Sequence, residues 1–212
     1  MLVISSPSGG GKSTIARHLL QARDDLGYSV SATTRPPREG EENGVAYHFL
    51  TPDEFARREA GGDFVETATY GGYRYGTLRG EIRRVLESGR HAVLDIEVAG
   101  ARQVRQSFPD AVQVFVLPPS GAVLVDRLRG RRTETEGALA KRLAHAEDEL
   151  AQAGEYDYVV VNDDLVTAVD RVAAILDAES LRVRRCHNLV QVVDRMRGEV
   201  QAQREALEGS TR

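Results

Sequence analysis

The 212-residue sequence has no tryptophan and one cysteine, Cys186. A single cysteine excludes an intramolecular disulfide framework and favours a reducing compartment. Long hydrophobic runs are absent too, because prolines and a glycine interrupt the longest apolar stretch, residues 111–125. A membrane helix needs about 20 apolar residues, and the N-terminus has neither the basic segment nor the apolar stretch of a secretory signal. We therefore expect a cytoplasmic protein that does not bind membranes.

The chain also has no large excess of charge of one sign. Lysine and arginine total 28 and aspartate and glutamate total 32, which gives a net charge of −4. This mild acidity argues against a protein that coats nucleic acid and against a polybasic membrane binder. The five histidines are scattered without the paired spacing of a zinc site. The composition is 41% hydrophobic and 28% charged, which is typical of an ordered globular domain.

Short apolar runs alternate with helical patterns along the chain. Runs that are apolar on both faces favour parallel strands covered by helices, and strands separated by helices predict βαβ units. The expected fold class is therefore α/β, with a five-stranded parallel sheet flanked by helices. The five strand candidates are residues 2–5, 28–32, 92–96, 111–117 and 158–161.

Two segments interrupt this alternation and divide the chain. Residues 33–76 contain two adjacent prolines and most of the aromatic side chains, which predicts a small mixed α/β insertion. Residues 126–142 are rich in arginine and predict a helical hairpin that acts as a mobile lid. The core then comprises residues 1–32, 77–125 and 143–212. Its last helix, about 189–207, has an apolar stripe that either packs on the core or pairs two chains into a homo-oligomer.

Residues 6–13 form a glycine-rich segment between a predicted strand and a predicted helix. The segment matches the phosphate-binding pattern G-x-x-x-x-G-K-[ST], except that Ser6 replaces the first glycine. Glycines let backbone N–H groups converge on phosphate oxygens, and the helix N-terminus adds a favourable dipole. Lys12 supplies a positive charge for the β- and γ-phosphates, and the Ser13 hydroxyl can join the coordination shell of Mg²⁺. The predicted ATP-binding residues here are Ser6, Pro7, Ser8, Gly9, Gly10, Gly11, Lys12, Ser13 and Thr14.

Two acids stand at the end of the predicted strand 92–96. Asp95 ends its apolar run as a Walker-B-type acid would, and Glu97 follows two residues later. Alternation along a strand places both carboxylates on one side. We expect one acid to order Mg²⁺ through water while its neighbour faces the second substrate. The alternative is a solvent-exposed pair of acids at a strand end.

Several motifs resemble the signature of the guanylate kinase family. They are Ser31-Ala-Thr-Thr-Arg35-Pro-Pro-Arg38, Phe64-Val-Glu66, Tyr75-Gly76-Thr77 and Val161-Asn162-Asp163-Asp164. The resemblance extends from Leu2 to about Glu179 and implies a P-loop nucleoside monophosphate kinase. The implied reaction is Mg²⁺-dependent transfer of the γ-phosphoryl group of ATP to GMP or dGMP, giving ADP and GDP.

The acceptor site can be reasoned from the residues that carry this resemblance. Arg35 and Arg38 flank two rigid prolines and form two guanidinium forks that can clamp a phosphate monoester, and the hydroxyls of Tyr47 and Tyr75 can donate to the same phosphate. A carboxylate accepts hydrogen bonds from N1–H and N2–H₂ of guanine and repels N1 of adenine, so Glu66 is the candidate that reads the base. The resemblance implies that the remaining GMP-binding positions are Ser31, Thr77, Asp95 and Glu97, the last of which is usually aspartate in the family.

Transfer between two anionic nucleotides requires charge neutralisation and exclusion of water rather than a general base. An arginine-rich lid that closes over the site supplies both. By resemblance, Arg131 and Arg142 are catalytic lid arginines, together with Lys12 and Arg38. Arg131 also belongs to the predicted ATP site, and the resemblance places the Asn162 amide near the adenine. Arg127 and Arg132 are weaker lid candidates.

Two rival functions are compatible with parts of this pattern. A P-loop kinase that acts on a phosphorylated sugar would retain the phosphate loop and the lid, but it would need no carboxylate to read guanine. A guanylate-kinase-like scaffold domain would bind phosphopeptides and lack the lysine of the loop. Glu66, Ser31 and Thr77 together argue against the first rival, and the presence of Lys12 and Ser13 argues against the second.

Overall fold

The computed structural model describes residues 1–130, 136–186 and 188–209. The chain divides into two compact units, residues 1–173 and 174–212. The strands are β1 (Leu2–Ser5), β2 (Leu26–Tyr28), β3 (Ser31–Thr33), β4 (His48–Phe49), β5 (Phe64–Tyr70), β6 (Tyr73–Leu78), β7 (His91–Asp95), β8 (Val112–Leu117) and β9 (Tyr158–Val161). The helices are α1 (Lys12–Ala22), α2 (Pro52–Ala60), α3 (Arg79–Glu87), α4 (Val98–Ser107), α5 (Gly121–Arg129), α6 (Glu136–Leu150), α7 (Leu165–Ser180) and α8 (Leu189–Gly209).

A five-stranded parallel sheet forms the centre of the first unit. Its strand order is β2-β7-β1-β8-β9, and every neighbouring pair is parallel. Leu2, Val3 and Ile4 of the central strand are completely buried, because helices cover both faces of the sheet. The expected α/β class with five parallel strands is confirmed.

The prediction of one strand over residues 28–32 is wrong. Tyr28 ends β2 in the parallel sheet, and Ser31 begins β3 in a second sheet. The ladder stops between them, because the Ser29 N–H donates to Val93 O while the Val30 N–H turns to a carboxylate oxygen of Glu81. An apolar run alone does not reveal this change of partner.

The second sheet is mixed and has the order β4-β3-β6-β5. Strand β6 is antiparallel to both β3 and β5, and β4 runs parallel to β3. Phe55 of α2 stacks on Phe64 with ring centroids 4.5 Å apart, and this pair forms the centre of a small core of its own. The sheet spans residues 31–78, slightly more than the predicted insertion 33–76. The domain boundaries stay a prediction.

Helices α5 and α6 pack together through Leu124, Leu128 and Ala146. They flank residues 131–135, so Arg131 and Arg132 lie outside the described residues. A hairpin lid over residues 126–142 therefore stays a prediction.

The C-terminal region contains a short 3₁₀ turn, Val183–Arg185, before α8 begins at Leu189. Helix α8 covers the expected last helix, about residues 189–207. Within the described ranges, no helix combines the length and the apolar character needed to cross a membrane.

Candidate active site

The phosphate-binding loop (P-loop, residues 6–13) connects the buried β1 to the first turn of α1. Gly9 and Gly11 have φ values of 86° and 99°, which lie in the left-handed region that favours glycine. Ser6 is buried, its hydroxyl donates to Pro7 O at 2.9 Å, and no described non-glycine residue has a positive φ. Serine at the first glycine position of the motif therefore causes no backbone strain.

Two side chains from distant elements support the loop. Asn162, which follows β9, donates from Nδ2 to Gly10 O at 3.1 Å, and Arg127 of α5 donates to the same carbonyl at 3.3 Å. A Cβ atom on Gly11 would overlap with the Asn162 amide. Sequence reasoning ranked Arg127 low, because nothing local to α5 signals a contact with the P-loop. The predicted contact of Asn162 with adenine stays a prediction.

A cavity of about 630 Å³, the P-loop pocket, opens over this loop. Most of the predicted ATP-binding residues line it, whereas Pro7 and Gly10 are buried and do not. The predicted residues in its wall are Ser6, Ser8, Gly9, Gly11, Lys12, Ser13, Thr14 and Asn162.

Lys12 lies between two carboxylates. Its Nζ is 2.9 Å from Glu97 Oε1. Burial lowers the pKa of Lys12, but the charges of Glu97 and Asp95 outweigh that effect and hold the pKa above its usual value. Lys12 is therefore a permanent positive charge at neutral pH.

Asp95 ends β7 and supplies the group best suited to a divalent cation. Its Oδ1 is buried without a hydrogen-bond partner among the described residues. Burial raises its pKa, while the Lys12 charge and a hydrogen bond with Ser13 act in the opposite direction. An unpaired carboxylate oxygen beside a hydroxyl at a helix N-terminus fits Mg²⁺, which prefers oxygen ligands and retains several waters. No cluster of three or more histidine, cysteine or acidic side chains with metal-binding geometry occurs in the described ranges.

A second cavity of about 310 Å³, the insertion pocket, adjoins the first. The two pockets share Lys12, Ser13, Tyr70 and Glu97. Asp95 also lines the insertion pocket, so both acids of the predicted pair face one cavity rather than bulk solvent. Its wall brings together the predicted GMP-binding residues Ser31, Arg35, Arg38, Tyr47, Glu66, Tyr75, Asp95 and Glu97.

The arginines of this pocket are held by a carboxylate that sequence reasoning missed. Arg35 Nη2 donates to Glu41 Oε1 at 2.8 Å, and the backbone N–H of Arg38 donates to Glu41 Oε2 at 2.7 Å. The Arg35 guanidinium also lies 5.5 Å from the centre of the Tyr47 ring. The hydrogen bond from Arg35 is the largest cause that lowers the pKa of Glu41. The signal was the short spacing between Arg35 and Glu41, which permits a local ion pair.

Glu66 is nine-tenths buried at the inner end of the insertion pocket. A bulge between Phe64 and Glu66 in β5 sets Glu66 opposite Thr77 of β6, and Thr77 is in turn paired with Ser31 of β3. The Thr77 hydroxyl donates to Glu66 Oε1 at 2.8 Å. Burial raises the pKa of Glu66 to about 7, although hydrogen bonds from Thr77 oppose the shift. A Cβ atom on Gly100 would overlap with the Glu66 carboxylate, so a larger residue there would displace that side chain.

Of the two predicted catalytic lid arginines, only Arg142 lies among the described residues. Arg142 of α6 donates from Nη1 to Leu128 O at 3.1 Å and does not line either pocket. Arg131 lies outside the described residues. The catalytic roles predicted for Arg131 and Arg142 stay predictions.

Sequence reasoning also missed Glu149, on the same helix as Arg142. The backbone N–H of Ser8 in the P-loop donates to Glu149 Oε2 at 2.9 Å. Burial raises the pKa of Glu149 to about 7, and the charge of Glu97 adds to the shift. No local signal in the sequence points to this contact, because Ser8 and Glu149 are 141 positions apart.

Comparisons with known proteins agree with this geometry. The guanylate kinase family model matches residues 1–179. A guanylate kinase of Symbiobacterium thermophilum is 47% identical over 185 residues, which cover 87% of this chain and 88% of that relative. A guanylate kinase of Nostoc sp. is 46% identical over 176 residues, which cover 83% of this chain and 88% of that relative. A crystal structure of guanylate kinase from Anaplasma phagocytophilum superposes with a TM-score of 0.75 at 32% identity, covering 92% of this chain and 93% of that one. The chain therefore belongs to the guanylate kinase family, whose reaction is the ATP-dependent phosphorylation of GMP.

Proposed function

We propose that this chain transfers the γ-phosphoryl group of ATP to GMP in the presence of Mg²⁺, giving ADP and GDP. The observation that carries the proposal is the junction of the two pockets at Lys12, Ser13 and Glu97. Two nucleotides bound from opposite sides would meet with their phosphates at this cation. We also assign the reaction to the cytoplasm, since a single cysteine favours a reducing compartment.

The P-loop pocket is the proposed ATP site. Its backbone N–H groups and the N-terminus of α1 would hold the phosphates, and Lys12 would neutralise the β- and γ-oxygens. Ser13 would ligate Mg²⁺ directly and Asp95 through water, which is supported by the unpaired Asp95 Oδ1. When bound, Mg²⁺ supplies charge neutralisation at the transferred group.

The insertion pocket is the proposed GMP site. Arg35, Arg38, Tyr47 and Tyr75 would bind the phosphate, with GMP replacing Glu41 as the partner of Arg35. Glu66 would accept from N1–H and N2–H₂ of guanine, supported by Thr77 and Ser31 on the same face of the sheet. Two donors approaching the buried carboxylate favour its ionised form and so offset the cost of burial.

Glu97 has a different environment from Glu66, the residue proposed to recognise the base. Its Oε1 is bonded to Lys12, so the main effect supported by the geometry is on the charge and position of that lysine. The contact of Glu97 with guanine implied by the family resemblance remains part of the proposal. The extra methylene of glutamate is consistent with its reach to Lys12.

The transfer itself needs no protein nucleophile. An ionised oxygen of the GMP phosphate attacks the γ-phosphorus in line, a new P–O bond forms, and the bond to the β-phosphate oxygen of ATP breaks as ADP leaves. The chain contributes by aligning the two nucleotides and neutralising charge. Closure of the lid would bring Arg131 and Arg142 to the phosphates and exclude water.

A coupled assay of ADP release tests this function. We expect rapid turnover with GMP, and no turnover above background with AMP, UMP or a sugar phosphate. A substrate profile that favours a sugar phosphate over GMP would contradict the proposal. Loss of turnover with every acceptor would support a binding module instead.

We also propose that α8 pairs with α8 of a second chain. Leu189, Val193, Met196 and Val200 follow one another at spacings of four, three and four, and Leu207 comes seven residues later; all five are exposed. In a parallel pair this register places Glu199 of one helix opposite Arg204 of the other. We expect light scattering to report a dimer and Val200→Glu to yield a monomer, and a monomeric wild-type chain would contradict the proposal.

A further inference from the structure

Among the described residues of the first unit, Glu149 is a buried acid that the proposed reaction does not use. Its side chain is 4% exposed, although it lies on the helix that leads away from the lid. Both of its oxygens face polar groups, since Oε2 accepts from Ser8 N and Oε1 lies 3.5 Å from His145 Nε2. A buried carboxylate is unfavourable unless such partners compensate its loss of hydration.

Glu149 also connects to the lysine of the P-loop. Its carboxyl group interacts with that of Glu97, which is bonded to Lys12. Glu97 Oε2 and Glu149 Oε1 are both buried and accept no hydrogen bond from the described residues.

Helix α6, which carries Glu149, contacts the P-loop through Ser8 and packs on α5. Arg142 and Glu149 are about two helical turns apart and therefore share a face. Arg142 donates to Leu128 O of α5. A Cβ atom on Gly9 would lie 3.4 Å from the Leu128 side chain, so the P-loop rests on α5 while α6 holds it through Ser8.

We propose that Glu149 is a positioning residue that ties the P-loop to the lid helix α6 through Ser8. The inference rests on the proposed function, because it gives this tie a role in binding ATP and in placing Arg142. Without an acceptor at position 149, the half-buried Ser8 N–H loses its side-chain partner and the loop can shift relative to Lys12. The expected losses are in ATP affinity and turnover, whereas GMP affinity does not depend on this contact.

The experiment compares four full-length proteins: wild type, Glu149→Leu, Glu149→Gln and the control Glu147→Leu. Leucine retains the packing of the side chain but removes the acceptor. Glutamine retains an oxygen for Ser8 and adds an N–H for Glu97. Glu147 is exposed on the same helix, so its replacement reports effects on α6 that do not involve the P-loop.

Loss of a charged hydrogen-bond partner should weaken ATP binding by about 10- to 100-fold in Glu149→Leu. We expect a lower kcat, an unchanged KM for GMP, and values within about threefold of wild type for Glu149→Gln and Glu147→Leu. Calorimetric titration with ATP alone measures affinity without any phosphoryl transfer. A failure of this inference is therefore distinguishable from a failure of the proposed function.

Unchanged ATP affinity in Glu149→Leu would overturn the inference, as would equal losses in Glu149→Leu and Glu149→Gln. Should the leucine variant not fold, Glu149→Asp provides the second comparison. Aspartate retains the charge but is one methylene too short to reach Ser8, so we expect it to bind ATP more weakly than Glu149→Gln. Wild-type ATP affinity in both Glu149→Asp and Glu149→Gln would contradict the proposed tie between Ser8 and Glu149.

Discussion

Replacing Glu66 by glutamine separates the cost of burying its carboxylate from the benefit of reading guanine. The side chain is 5% exposed, and its nearest donor is the Thr77 hydroxyl at 2.8 Å. Glutamine retains the shape of the side chain and an oxygen for Thr77. It removes the negative charge of the carboxylate, whose burial is offset only in part by hydrogen bonds from Thr77.

The magnitude follows from the pKa of Glu66, which burial raises from 4.5 to about 7. At about 1.4 kcal/mol per pKa unit, holding the ionised group in the folded protein costs about 3 kcal/mol at pH 8. Between pH 4.5 and 7 the folded state retains a proton that the unfolded chain has lost. The wild-type free energy of unfolding therefore falls as pH rises through this window.

We expect Glu66→Gln to match the wild type in urea denaturation at pH 4.5 and to exceed it by up to about 3 kcal/mol at pH 8. The same variant should bind GMP about 10- to 100-fold more weakly, because a bidentate contact to a base contributes about 1–3 kcal/mol. It should also reject AMP less strongly. Glu87→Gln, an exposed site at the end of α3, is the matched control and should change neither quantity.

Two results would refute this reasoning. A stability difference between Glu66→Gln and wild type that does not grow with pH would show that the carboxyl group is not strained by burial. Unchanged kinetics with GMP and AMP would show that Glu66 does not read the base. The two outcomes are independent, so each part of the argument can fail alone.

Further changes address the other groups of the site. Lys12→Ala should lower kcat by about 1,000-fold or more while circular dichroism reports an intact fold; surviving turnover would show that the P-loop is misassigned. Arg35→Lys retains the charge but loses the bidentate fork, so the KM for GMP should rise about tenfold while the KM for ATP stays unchanged. An equal rise in both KM values would contradict a role of Arg35 in the acceptor site. Asp95→Asn should raise the Mg²⁺ concentration for half-maximal rate by about tenfold in a titration at saturating nucleotides, and an unchanged titration would exclude Asp95 from the metal site.

Local sequence signals predicted the parts of the site that a short segment determines. The P-loop needs two glycines with positive φ, a lysine and a hydroxyl between a strand and a helix, and all of these lie within residues 6–13. Four strands of the parallel sheet, β1, β7, β8 and β9, were equally clear, because their apolar residues are consecutive. Resemblance to a family then pointed to Glu66 and Arg35.

Contacts between residues far apart in the sequence could not be predicted in the same way. The tie between Ser8 and Glu149 joins positions 141 residues apart, and only the packing of α6 on α5 brings them together. The position of Glu66 depends on a bulge that shifts the register of β5 against β6. The end of β2 was misjudged for a related reason, since a side chain from α3, Glu81, takes the hydrogen bond that would have continued the strand.

The central claim is that two nucleotides bind end to end across Lys12. A single molecule in which adenosine and guanosine are joined by a chain of five phosphates tests it directly in an inhibition assay. We predict that it competes with both ATP and GMP and binds with a stoichiometry of one per chain. Competition with only one of the two substrates, or binding of two molecules per chain, would contradict the arrangement.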